Sequence, residues 1–105
     1  MLQIDVIPAD GSDVTVLVRG ELDMTGAARL RETFTSLLNS GTARTVGLDL
    51  RGLTFIDSTG IGTLVVARRI CTQVGVRLHL IAVSPFAARV LSVTGVMEAL
   101  AGQQQ

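Results

Sequence analysis

The sequence predicts a single α/β domain over residues 1–105, a mixed β-sheet of about four strands with helices packed mainly on one face. Two apolar alternations joined by turn residues open the chain, and helix-spaced segments then alternate with strand-spaced ones. A length of 105 residues is also too short for two separate cores.

Leu2, Ile4 and Val6 fall on one face of a first strand, and Val14, Val16 and Val18 do the same in a second. Ala9-Asp10-Gly11-Ser12 lies between them and supplies the turn of a hairpin. The second strand is expected to end at Arg19-Gly20. From Thr25 to Asn39, Ala27, Leu30, Phe34, Leu37 and Leu38 recur at three- and four-residue intervals, which predicts a helix capped by Thr25 or Asp23 and stopped near Gly41. Val46, Leu48 and Leu50 alternate through a short third strand. A second helix is expected from about Thr59 to Val74, closed by Gly75. Leu78 to Val83 reads as a fourth strand. Ser84 then serves as N-cap and Pro85 as first residue of a third helix that Gly95 stops.

Composition narrows the function. Nine basic and nine acidic residues cancel, and no basic stripe is present to neutralise phosphates, so no direct nucleic-acid partner is expected. All nine basic residues are Arg, which reads as the coding bias of a G+C-rich genome. The chain has no Trp or Tyr on which bases could stack. Cys71 stands alone, which excludes an internal disulfide and a cysteine-built metal site. No apolar run approaches the ~18 residues of a membrane span, and the first residues carry Asp5 rather than a basic cluster. A cytoplasmic protein is expected, with no membrane insertion, metal or cofactor.

Chemistry concentrates between Asp49 and Gly62, in D-L-R-G-L-T-F-I-D-S-T-G-I-G. A strand is expected to end there, a short loop to cross, and a helix to begin at or beside Ser58. Helix starts leave backbone N–H groups unpaired and carry partial positive charge, so a phosphate added to an exposed hydroxyl there meets ready donors. The same pattern also fits a plain helix cap, supplied by Ser58 or Asp57. Asp57 is open to two roles: orienting the hydroxyl and a partner's nucleotide-bound metal, or closing a turn.

Three ordered pieces resemble the STAS domain family, and within it the bacterial anti-sigma factor antagonists. Gly20-Glu21-Leu22-Asp23 is similar to that family's G-E-L-D turn. Asp49 to Gly62 resembles its strand and phosphorylation loop, with D-S-[ST]-G at Asp57-Ser58-Thr59-Gly60. Ser84 to Gly95 resembles its third helix, which here ends Val90-Leu91-Ser92-Val93-Thr94-Gly95. The resemblance implies partner switching. The unmodified protein binds an anti-sigma factor that is also a serine kinase and so frees the sigma factor. Phosphorylation of Ser58 ends that binding, and a serine phosphatase reverses it. The chain itself performs no catalysis in this scheme. One departure concerns the carboxy terminus: only ten residues follow Gly95, where relatives continue through a last strand and helix, and Val96 to Leu100 are expected to be a shortened stand-in for one of the two.

On a wheel of about 100° per residue, Leu64, Ala67, Ile70, Cys71 and Val74 gather on the side expected to pack on the sheet. Gly62, Arg68, Arg69, Thr72 and Gln73 fall opposite, with Val65 and Val66 among them. Those valines either meet a partner or are covered by another part of the chain. The expected partner-binding residues are Glu21, Asp23, Ile61, Gly62, Val65, Val66, Arg68 and Arg69. Cys71 is expected as a small core residue, and His79, inside an apolar strand, as a hydrogen-bonded structural histidine.

Two other readings compete. One is a STAS subunit of a sensory or transport assembly that is never phosphorylated. The other is a hydrolase using Ser58, His79 and an Asp, which the missing G-x-S-x-G elbow disfavours. No G-x-G-x-x-G follows a strand, so a dinucleotide site is not expected either.

Overall fold

The computed structural model describes residues 1–95. The expectation for Val96 to Leu100 lies outside the described residues. The elements run β1 (Leu2–Pro8), β2 (Asp13–Leu22), α1 (Met24–Asn39), β3 (Thr45–Ile56), α2 (Ser58–Gln73), β4 (Arg77–Val83) and α3 (Pro85–Thr94). They form one four-stranded sheet in the order β1-β2-β3-β4. The β1–β2 hairpin is antiparallel, while β2–β3 and β3–β4 are parallel, so the sheet is mixed as expected.

The hairpin follows from its turn, where the Ala9 amide donates to the Asp13 carbonyl (2.9 Å) and the Asp13 amide to the Asp10 carbonyl (3.0 Å). Pairing Val16 with Val6 and Val18 with Ile4 sets the alternating valines on one face. That face carries the core: Val16, Val18, Val46, Leu48, Leu50 and Leu78 from the sheet meet Leu30 and Phe34 of α1, Leu64 and Cys71 of α2, and Ala87 and Leu91 of α3. Each large aliphatic side chain buried in this way contributes about 1.5–3 kcal/mol. The opposite face of the sheet bears the ion pair Arg19–Asp5 (3.0 Å) and the pair Arg51–Asp49 (2.8 Å).

Two strands run further than the alternation predicts. Strand β2 does not end at Arg19-Gly20 but continues to Leu22, and β3 does not end near Leu50 but continues to Ile56. The pairing between them is irregular at Leu17/Arg19 and again at Gly20/Glu21. The first bulge adds a residue to β3 and breaks the period of two, so the inward Leu53 is out of phase with Leu50; the second adds another and returns Ile56 to the phase of Leu50, and all three are buried. No separate loop therefore crosses from β3 to α2. Asp57 alone joins them.

The parallel arrangement brings the carboxy-terminal ends of β2, β3 and β4 to one edge of the sheet. A helix begins directly after each of them, so α1, α2 and α3 all present their amino-terminal ends there. Ligand-bearing residues in open parallel sheets gather at this edge, and Ser58 lies on it.

Candidate functional site

Three helices start at this edge with three side-chain caps. Asp23 caps α1 by accepting from the Gly26 amide (2.9 Å), Asp57 caps α2 by accepting from the Gly60 amide (2.9 Å), and Ser84 caps α3 by accepting from the Ala87 amide (3.1 Å). Of the two caps offered for the first helix, the structure selects Asp23 over Thr25.

For the second helix it selects Asp57, which leaves Ser58 as the first helical residue. The Asp57 amide also donates to the Leu22 carbonyl (3.3 Å), and its carbonyl accepts from the Ile61 amide (3.0 Å). These bonds use every group of Asp57 except its second carboxylate oxygen and leave the first-turn amides of Ser58 and Thr59 outside the capping scheme. Ser58 and Thr59 are both exposed. The Ser58 hydroxyl has no hydrogen-bond partner among the described residues. It is an unbonded hydroxyl at the positive end of a sixteen-residue helix.

Gly60 explains how α2 can start so close to the sheet. It is buried, and a methyl group in its place would stand 2.5 Å from the Leu22 carbonyl oxygen and 2.8 Å from Leu22 Cγ. A side chain there would push the first turn, and Ser58 with it, away from β2.

The remaining expected contact residues separate into two groups. Glu21, Gly62 and Arg69 are exposed, while Ile61, Val65, Val66, Arg68 and Asp23 are half-buried. Val65 packs against the core and Val66 lines a narrow crevice between α1 and α2 with Phe34, Leu38 and Ile70. Of the two alternatives for these valines, the structure favours cover by the chain itself. Glu21 forms an ion pair with the Met1 ammonium group. Arg68 Nε is buried without a hydrogen-bond partner among the described residues.

The buried stripe of α2 also differs from the wheel. It consists of Gly60, Thr63, Leu64, Ala67 and Cys71, whereas Ile70 and Val74 are 36% and 58% exposed. The helix leans on α1 as well as on the sheet, so its apolar stripe is rotated from the one a sheet contact alone would give. Burial pushes the Cys71 thiol up to about 11, which keeps it protonated and unreactive in the folded chain. Hydrogen bonding by Arg51, despite burial acting the other way, holds the Asp49 carboxyl below its ordinary range.

His79 pairs with Gly47 in the sheet, far from the edge where Ser58 lies. From Gly47 to Ile56 is about 30 Å of extended strand, well beyond the hydrogen-bond reach that a nucleophile and its base require. The expectation that His79 is hydrogen-bonded does not hold at Nδ1, which is buried with no partner among the described residues. Among the described residues no cluster of three or more His, Cys, Asp or Glu is placed to hold a metal ion. None of their helices is long and apolar enough to cross a membrane.

Comparison with known proteins agrees with this architecture. The family model described as "Mlab, STAS domain" matches residues 6–101. The chain is 31% identical over 83 residues to the anti-sigma-B factor antagonist of Staphylococcus aureus (strain NCTC 8325 / PS 47), covering 79% of this chain and 76% of that one. It is 32% identical over 83 residues to the anti-sigma F factor antagonist of Lysinibacillus sphaericus, covering 77% and 71%. Among solved structures, the anti-sigma factor antagonist SpoIIAA in its unphosphorylated form aligns with a TM-score of 0.78 at 23% identity, covering 90% of this chain and 83% of that one. Its phosphorylated form from Bacillus aligns at 0.72 and 23%, covering 90% and 85%. At that identity the two structures bear on the fold alone. The chain belongs to the STAS domain family.

Proposed function

We propose that this STAS protein is a cytoplasmic anti-sigma factor antagonist that switches partners through phosphorylation of Ser58. Unmodified, it binds an anti-sigma factor with serine kinase activity and so releases the sigma factor. Phosphorylated, it lets go, and a serine phosphatase returns it to the binding form. The observation that supports this reading is the division of labour at the start of α2: Asp57 caps the helix, and the Ser58 hydroxyl is left exposed and unbonded.

In the transfer step the Ser58 oxygen attacks the terminal phosphorus of the kinase's ATP. The bond to the bridging oxygen breaks, ADP leaves, and the serine proton passes to a base on the kinase. This chain contributes a hydroxyl on a rigid helix start, and the partner supplies the metal and the charge stabilisation. Asp57 holds the acceptor through the helix cap, and its second carboxylate oxygen is left over to orient the hydroxyl and the partner's nucleotide-bound metal. Thr59, one residue on, is exposed but lies a further 100° or so around the helix. Glu21, Asp23, Ile61, Gly62, Val65, Val66, Arg68 and Arg69 form the surrounding contact region, with Glu21, Gly62 and Arg69 as its exposed members.

Incubation with candidate anti-sigma kinases and ATP, followed by intact mass measurement, tests the proposal. One phosphate is expected on the wild type and none on Ser58→Ala. Equal labelling of the alanine variant would move the acceptor elsewhere. A chain that binds its partner but is never labelled would be the subunit of an assembly instead.

A further inference from the structure

The start of α1 repeats the start of α2. Leu22-Asp23-Met24-Thr25-Gly26 and Ile56-Asp57-Ser58-Thr59-Gly60 align residue by residue: an apolar strand end, an aspartate cap, one variable residue, then Thr-Gly. The caps share a conformation, with φ −101° and ψ −166° at Asp23 and φ −106° and ψ −175° at Asp57. Each carboxylate accepts from the glycine amide three residues on at 2.9 Å. Each glycine is buried where a methyl group would crowd a carbonyl oxygen, that of Glu21 at 3.1 Å for Gly26 and that of Leu22 at 2.5 Å for Gly60. The one difference is the first helical residue, which is Ser58 in α2 and Met24 in α1.

Met24 has no structural reason to be there. The first turn of a helix favours acidic and small polar residues, and Met24 is 70% exposed, so it serves neither the helix nor the core. Single exposed apolar residues are common, but the position of this one matters. The Asp57 amide bonds to the Leu22 carbonyl, and Leu22 pairs with Ile56, so the two helix starts stand side by side. Packed helices lie about 8–10 Å apart, which places Met24 about that far from Ser58. A standard interface covers about 800 Å² on each partner, a disc of about 16 Å radius. A protein that docks over Ser58 therefore covers Met24 too.

We propose that Met24 is an apolar anchor for the anti-sigma factor, seated in an apolar pocket of that partner next to the place where the Ser58 hydroxyl is received. This inference rests on the function proposed above. A thioether on a flexible chain adapts well to such a pocket. Phe55, 45% exposed and three residues before Ser58, is a second exposed apolar residue near the acceptor, paired with Glu21 at the ends of β3 and β2. The two helix starts thus divide the task, α2 presenting the group that is modified and α1 an unmodifiable group that supplies contact area.

Titration of the anti-sigma partner with wild type, Met24→Asp, Met24→Leu, Ser58→Asp and Val74→Ser tests this. An aspartate is favourable in a helix first turn, so Met24→Asp should melt within a few degrees of wild type and still bind about tenfold or more weakly, as anchor residues do. Met24→Leu should stay within about threefold, and Val74→Ser, an exposed apolar change at the far end of α2, within about twofold. Wild-type affinity for Met24→Asp together with loss of binding by Ser58→Asp would overturn the anchor and leave the switch standing. Wild-type affinity for Ser58→Asp would overturn the switch itself, whatever Met24 does.

Discussion

Ser84 and Ser58 begin consecutive helices at the same edge of one sheet, yet they stand one position apart relative to the helix cap. Ser84 is the cap. Its hydroxyl accepts from the Ala87 amide and donates to the Leu53 carbonyl (2.9 Å), and it is 9% exposed. Ser58 follows the cap, and because Asp57 satisfies the helix, its hydroxyl is bonded to nothing in the described chain and faces solvent. The fold consumes one serine hydroxyl and leaves the other unbonded. A hydroxyl at a helix start is available to a partner only when another side chain has taken over the capping.

Substitutions can break this contrast, and the largest effect is expected at Gly60. A methyl group 2.5 Å from a backbone oxygen cannot be relieved by a side-chain rotation. Gly60→Ala should cost on the order of 3 kcal/mol, and a domain of this size should then melt about 10 °C lower or more. Ser84→Ala comes next. It leaves the buried Leu53 carbonyl and the Ala87 amide without their partner, a loss of about 2 kcal/mol measurable by urea denaturation. Asp57→Ala removes a cap that is only half-buried, for a cost of about 1 kcal/mol, and should also fray the turn that carries Ser58, seen as faster amide exchange at Thr59 and Gly60. Ser58→Ala should change stability by less than about 0.5 kcal/mol, because nothing in the fold depends on that hydroxyl. A Ser58→Ala loss as large as that of Ser84→Ala would erase the contrast.

Much of this arrangement was legible in the sequence because local chemistry decides it. Ser84-Pro85 signals a helix start through a cap and a fixed φ, and both fall where expected. The alternation of Val14, Val16 and Val18 fixes the hairpin face without any tertiary information. What the sequence hid depends on partners elsewhere in the chain. The ends of β2 and β3 were hidden because one bulge shifts the phase at Leu53 and a second shifts it back at Ile56, which breaks the alternation. The exposure of Ile70 and Val74 was hidden because α2 packs against α1 as well as the sheet. For Ser58 the ambiguity between cap and acceptor is local, and only the Asp57–Gly60 bond resolves its capping half. Met24 drew no notice, although the repeat of D-x-T-G at 23–26 and 57–60 was there to be read.

The central claim is that Ser58 belongs to the partner and not to the fold, and calorimetric titration of wild type, Ser58→Ala and Ser58→Asp with the anti-sigma factor tests it most directly. A negative charge at the first turn of a free helix is favoured by about 0.3–1 kcal/mol, whereas an unpaired charge buried in an interface costs several kcal/mol. Each ~1.4 kcal/mol is a tenfold change in affinity. Ser58→Asp should therefore bind about a hundredfold or more weakly, Ser58→Ala nearly as wild type, and all three proteins should melt within a few degrees of one another. Equal affinities across the three would contradict the account, as would a Ser58→Asp variant that binds weakly only because it no longer folds.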